Sequence, residues 1–262
     1  MLTLFEHPLS PYVQKIKIAL LEKNIEHQLV PGDLTGLAED DGGFSRASLR
    51  REIPAIISDG DYIFDSTIIL EYLEEKWPEP PLMPGTPGAR ARVRQIEEVC
   101  DSVYEACVWG LMELNIFNRV QGSLKEKMIT RTKEEIAGYN RYLAAELGSA
   151  PWLNGDSFGR ADLAAIPVVH GASTFEVAPQ EETLQRWLER CRQRSSVQPV
   201  LEAGDESLEM MPQVASAIAQ GLWSRQYRDH RLEWAIRNGG QDYVEAGVAN
   251  KSIRFSRKVD SE

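Results

Sequence analysis

By sequence the chain is an α/β unit followed by an all-α unit, with a further helical piece after Leu201. Three observations predict this. Short apolar runs alternate with amphipathic stretches over the first 76 residues. Residues 77–88 then carry five prolines and two glycines, a composition that excludes helix interior and central strand because proline removes donors and fixes φ. From Ala89 onward the apolar period is helical almost throughout. The expected boundaries are residues 1–76, a linker over 77–88, a helical domain over 89–204 and an extension over 205–262. The 262 residues fit two modest domains at roughly 100–200 residues each.

The elements follow in order. Leu2–Phe5 is a short apolar strand. Val13, Ile16, Ile18, Ala19 and Leu20 give a helical face from Pro11 to about Lys23. Glu26–Val30 predicts a second strand, stopped by Pro31-Gly32. Ala55–Ser58 and Tyr62–Phe64 flank Asp59-Gly60-Asp61, a strong hairpin signal. Ile68, Ile69, Leu70, Tyr72 and Leu73 then place a helix that runs to Lys76. The order β-α-β, an irregular stretch, then β-β-α matches a thioredoxin-like layout, a small sheet flanked by helices. Later helices are expected at about 89–119, 124–147, 160–173 and 181–194. A long one over 207–238 carries Val214, Ile218, Leu222, Trp223, Tyr227 and Trp234 on an apolar stripe by which it would pack against the body. From Gly239 the period fades, which predicts a draped or disordered tail.

Composition removes several function classes. Lys and Arg number 29 against 40 Asp and Glu, a net charge of −11, so a phosphate backbone offers little through counterion release. Arg225, Arg228, Arg231 and Arg237 are interleaved with Asp229 and Glu233, the pattern of a solvated helix face. No run of 18 apolar residues is present, so no membrane span is expected, and the N-terminus lacks the pattern of a signal peptide. Cys100, Cys107 and Cys191 form no CxxC pair and are expected to be reduced thiols of a cytoplasmic protein. The four histidines show no metal-ligand spacing, so no metal is expected.

Three short segments carry chemistry. Ser10-Pro11-Tyr12 opens the first helix. Serine is a good N-cap and proline a good first residue, which is a sufficient structural reason for both. The same geometry gathers unpaired N–H groups and the positive helix end, where an anion such as a thiolate is stabilised. Ile53-Pro54 precedes a strand, where a cis bond would turn the Ile53 N–H and C=O outward to pair with an extended peptide. Asp65-Ser66 begins the third helix. Its residues are caps in one reading. In the other, Ser66 and the helix N–H groups hold a ligand carboxylate while Asp65 pairs with an ammonium.

In order and separation these segments resemble the glutathione transferase superfamily, over residues 1 to about 204. Ser10-Pro11-Tyr12-Val13 with Lys15 is similar to the family's serine/cysteine-type motif. Ile53-Pro54-Ala55-Ile56 is similar to its Val-Pro-x-Leu segment, Asp65-Ser66 to its Glu-Ser pair, and Leu70-Glu71-Tyr72-Leu73-Glu74 to its third helix. Gly155–Asp162 resembles its buried capping box, with Gly159 at the usual Ser/Thr position. The resemblance implies the glutathione transferase fold, glutathione as co-substrate, a homodimer and a cytoplasmic enzyme. It implies that Ser10 donates to the glutathione thiolate, that Ile53 beside Pro54 pairs with the cysteinyl residue, and that Asp65 and Ser66 hold the γ-glutamyl end. Arg50 or Arg51, the latter preferred, is assigned to the glycine carboxylate from charge and position alone. The usual Asn-Pro before the Val-Pro element is missing here, which leaves that end weakly defined. Leu9, Tyr12, Tyr104, Trp109, Met112 and Phe117 are candidate walls for a hydrophobic electrophile, although such aromatics also serve as ordinary core. Pro31-Gly32 and Thr35-Gly36, with the Ser-Pro-Tyr-Val motif, are similar to β-etherase-type members that cleave aryl ethers. A glutathione-binding scaffold or regulator is the alternative. Thiol exchange is the least favoured, because a serine cannot form a mixed disulfide.

Overall fold

A computed structural model describes residues 1–33, 40–222 and 230–250, the side chains of 230–236 excepted. Two compact units divide the chain, Met1–Met211 and Pro212–Glu262. Within the first, a four-stranded sheet runs in the order β2-β1-β3-β4, formed by β1 (Leu2–Glu6), β2 (His27–Pro31), β3 (Ala55–Ser58) and β4 (Asp61–Phe64). β1 pairs parallel with β2 and antiparallel with β3, which pairs antiparallel with β4. The β3–β4 turn holds Asp59 and Gly60 at φ 53° and 95°, the left-handed pair a two-residue hairpin needs. Helices α1 (Pro11–Glu22), α2 (Phe44–Ala47) and α3 (Ser66–Lys76) complete the α/β part. The strands and the two long helices agree with the sequence reading to within a residue or so. The four-residue α2 was read only as irregular chain.

The helical part begins at Pro87, inside the proline-rich segment. Thr86 caps α4 (Pro87–Val99) by accepting from the Ala89 N–H at 3.3 Å, and proline at the first position needs no N–H partner. α5 (Glu105–Asn115), α6 (Gly122–Leu147), α7 (Arg160–Thr174), α8 (Glu182–Arg192) and α9 (Gln198–Ala219) follow. The single helix expected over 89–119 is interrupted by a π-helical turn at Cys100–Tyr104 and ends at Asn115. One core joins the sheet to the helices, with Leu4, Ile16, Ile56, Ile69, Ile96, Leu163 and Trp187 among its members. All three cysteines are buried free thiols.

Two expectations for the C-terminus are corrected. The helix predicted over 207–238 already starts at Gln198 and stops at Ala219, where Gly221 turns to φ 73°. The tail expected from Gly239 lies outside the described residues from position 251 on, and its first stretch, residues 239–249, is helix. That stretch belongs to α10 (His230–Ala249), which is broken at Gly240 (φ 67°), and that break hides the period. Trp223, Tyr227, Arg225, Arg228 and Asp229 lie outside the described residues, as do Thr35 and Gly36. Among the described residues, no helix is long and apolar enough to cross a membrane, and no group of three His, Cys, Asp or Glu is arranged to hold a metal ion.

Candidate active site

Register assembles the site. Phe5 of β1 lies opposite Ala55 of β3, and Ala55 opposite Phe64 of β4. The chain that leaves β1 toward Ser10, the chain that enters β3 through Ile53-Pro54 and the chain that leaves β4 into Asp65 therefore share one end of the sheet. Three segments far apart in sequence become neighbours through pairing alone.

Ser10 is the N-cap of α1, and its Oγ accepts from the Val13 N–H at 3.3 Å. A hydroxyl used as an acceptor keeps its hydrogen for another partner, and no acceptor for it stands among the described residues. The Ile53-Pro54 bond is cis, and no described backbone group pairs with the Ile53 N–H or C=O. Gly32 at the end of β2 makes room for this turn: a Cβ there would lie 2.8 Å from Ile53 Cγ2.

Asp65 sits at φ 75°, a region unfavourable for a residue with a side chain. Its Oδ1 accepts from the Thr67 and Ile68 N–H groups at 3.0 and 3.3 Å. Two of the α3 N-terminal donors are thus spent on Asp65 itself, leaving Ser66, buried as the first residue of α3, to offer its own N–H and hydroxyl. The two arginines part company. Arg50 places its guanidinium 3.7 Å from Asp65 and over the Phe64 ring. Arg51, at φ 51°, turns the other way and pairs with Asp33 at 3.4 Å.

Behind these groups runs a buried ionic network. Lys15, 1% exposed, donates to Glu97 at 2.9 Å and to Asp101. Arg160, also 1% exposed, donates to Glu97 and Glu71 at 2.5 Å each and to the Thr67 carbonyl at 3.3 Å. α1, α3, α4 and α7 are tied together directly beneath the first turns of α1 and α3. Lys15 therefore points into protein, not toward a ligand. Burial lifts the Asp101 carboxyl to about 6, against the pull of Lys15.

The proposed second-substrate walls separate into two groups. Tyr104 is wholly buried, stacked on Tyr139 at 5.6 Å and bonded to Asn140 at 2.7 Å, so it is core and walls no cleft. Leu9, Tyr12, Trp109, Met112 and Phe117 are half-buried. Tyr12 donates to the Asp101 carbonyl at 2.7 Å. Glu105 lies near the same hydroxyl, and burial together with the Glu105 and Asp101 charges pushes the Tyr12 pKa far above the tyrosine norm. Glu105 was absent from the sequence reading. Its spacing of four and seven from Trp109 and Met112 was the available signal.

The capping box of α7 is as expected. Asp162 accepts from the Gly159 N–H at 3.1 Å, and from Leu153, Asn154 and the Trp187 indole. Glycine replaces the usual serine because a Cβ at 159 would lie 2.4 Å from the Leu82 carbonyl.

Comparison with known proteins adds the family. Residues 4–81 match the glutathione S-transferase N-terminal domain, and residues 110–195 match the C-terminal domain. Mouse maleylacetoacetate isomerase is 31% identical over 176 residues, covering 62% of this chain and 74% of that protein. A glutathione S-transferase from Rhodospirillum rubrum superposes with a TM-score of 0.67 at 27% identity, over 77% of this chain and 92% of the other. Rice glutathione transferase in complex with glutathione shares the fold, with a TM-score of 0.68 at 24% identity over 82% and 98% of the two chains. The sheet, the helical part and these matches together show that this chain belongs to the glutathione S-transferase superfamily.

Proposed function

We propose that this protein is a glutathione transferase that activates the tripeptide's sulfur as a thiolate for attack on a hydrophobic electrophile. The observation that carries the reading is the Ser10 cap, whose hydrogen is uncommitted at the same sheet end as Ile53 and Asp65. The donor set suits the tripeptide. The Ser10 hydroxyl and the α1 N-terminus hold the sulfur's negative charge, the Ile53 backbone groups pair with the cysteinyl unit, and Asp65 with Ser66 takes the γ-glutamyl ammonium and carboxylate. Arg51 is assigned to the glycine carboxylate. Leu9, Tyr12, Trp109 and Met112 wall the electrophile, and an aryl ether is one substrate class to screen. The working protein is proposed to be a homodimer, which sedimentation tests directly.

The energy required is modest. Lowering a free thiol's pKa by two units takes about 2.7 kcal/mol, and one hydrogen bond to a charged group contributes roughly 1.5–3 kcal/mol. Serine at this position binds the anion and is not the nucleophile, since among the described residues no base stands in contact with its Oγ. Ser10→Ala is expected to lower turnover roughly a hundredfold, as removal of one preorganised donor does, while glutathione affinity by calorimetry falls only a few-fold. Equal turnover in both proteins would defeat this reading. Binding of glutathione with no turnover on any electrophile would leave a scaffold.

A further inference from the structure

The π-helical turn at Cys100–Tyr104 lies at the junction where the helical part faces α1. Such turns recur at functional sites because the extra residue re-aims the side chains that follow. Here the Tyr12 hydroxyl enters from α1 and bonds the Asp101 carbonyl inside the turn, and the next residue after the turn is Glu105. Along α5, Glu105, Trp109 and Met112 stand at i, i+4 and i+7, hence on one face. All three are half-buried. The adjacent face, Tyr104, Cys107, Leu111 and Leu114, is buried in the core. Glu105 is therefore the acid on the half-open stripe assigned to the electrophile, and the Tyr12 hydroxyl, two residues after Ser10, lies near it.

We propose that Glu105 is a catalytic proton donor to the second substrate, and that the site favours electrophiles whose negative charge develops on oxygen. This rests on the transferase reading above. In the addition to an enone, a carbon–sulfur bond forms at the β-carbon while the C=C pair shifts to make an enolate. The Glu105 proton passes to the enolate oxygen, which tautomerises to the ketone. The proton lost by the glutathione thiol goes to solvent, and solvent restores Glu105. An aryl ether follows the same balance, with the C–O pair leaving on a phenolate oxygen that takes the proton. A halide leaves without needing one.

The titration of Glu105 fits the role. Burial raises it to about 7, against the opposing influence of the nearby Tyr12 hydroxyl and with the Asp101 charge adding to the rise. Tyr12 on α1 and Asp101 on the preceding turn are the groups that bear on it. The acid is thus loaded below neutrality and ionised above it.

The test compares Glu105→Gln with the parent on benzylideneacetone, an enone, and on chlorodinitrobenzene, an aryl halide, both with glutathione. The ratio of enone to halide kcat/KM is expected to fall at least tenfold in the variant, with Glu105→Asp recovering part of it. In the parent, the same ratio is expected to fall as pH rises through about 7. Infrared difference spectra of the protein alone should show a protonated carboxyl that titrates near neutrality and is missing from the variant. An unchanged ratio with a flat pH dependence overturns the proposal, as does a carboxylate already ionised at pH about 5. If Glu105→Gln does not fold, the parent's ratio profile and spectrum decide alone. Ser10→Ala separates the two readings: it lowers both rates if the transferase reading holds, and leaves both intact if that reading fails.

Discussion

Two helix N-termini in this protein use the same local device for different ends. At α1, Ser10 caps the helix through one hydroxyl lone pair and keeps its hydrogen available at a sheet end. At α7, the Asp162 carboxylate accepts from three backbone N–H groups and an indole, and is wholly buried. Both follow from the unsatisfied donors of a first helical turn. The lesson is that a cap becomes a binding site when it stays under-committed and meets other donors. It becomes a structural bolt when every lone pair is spent. α1 also shows both behaviours within two turns, since Lys15, five residues past the cap, is locked between Glu97 and Asp101.

Mutations should sharpen this contrast, and the α7 bolt should give the largest effect. Asp162→Ala leaves several buried donors without partners, each costing about 1–3 kcal/mol. A loss of about 4 kcal/mol is expected in urea unfolding, and a loss below 1 would show that water replaces the carboxylate. Lys15→Met comes next. It leaves Asp101 without its cation and Glu97 with Arg160 alone, and breaking a buried pair typically costs about 3–5 kcal/mol. Thermal unfolding at neutral pH measures this, and part of the loss should return in acid as Asp101 takes up a proton.

A pH effect of intermediate size belongs to Glu105. Its carboxyl is raised in the folded protein to about 7, so the folded state binds the proton more tightly than the unfolded chain. Its stabilising contribution is full in acid below the unfolded value and is lost as pH rises toward and through about 7. Unfolding free energies followed from pH about 4 to about 8 should therefore decline more steeply in the parent than in Glu105→Gln. Parallel curves would count against a raised carboxyl. The smallest expected change is the stability of Ser10→Ala, about 1 kcal/mol for a lost cap. It contrasts with the roughly hundredfold loss of turnover set out above. A loss of stability as large as that of Asp162→Ala would mean that Ser10 is a bolt too.

Much of this was legible in the residues. Short apolar runs at Leu2–Phe5 and Ala55–Ser58, the Asp59-Gly60 turn and the Ser10-Pro11 cap located strands, hairpin and helix start, because each is a local steric or hydrogen-bonding preference. The π turn was not legible. Cys100–Tyr104 has the composition of ordinary helix, and the Tyr12 hydroxyl that reaches the Asp101 carbonyl inside the turn comes from 89 positions away in sequence. Tyr104 and Trp109 looked alike as aromatics on a helical stripe, yet one is sealed in the core and the other half-open. Periodicity places a side chain on a face but does not say what that face meets.

The sequence by itself determined the order of elements, the proline-rich junction, the caps and the types of side chain available for holding an anion. Those properties depend on neighbours within a few positions. Tertiary structure alone decided that Ser10, Ile53 and Asp65 share one sheet end, that Lys15 faces inward, and that Glu105 meets Tyr12. Strand register and helix docking set those distances, and both are fixed by contacts between segments tens of residues apart.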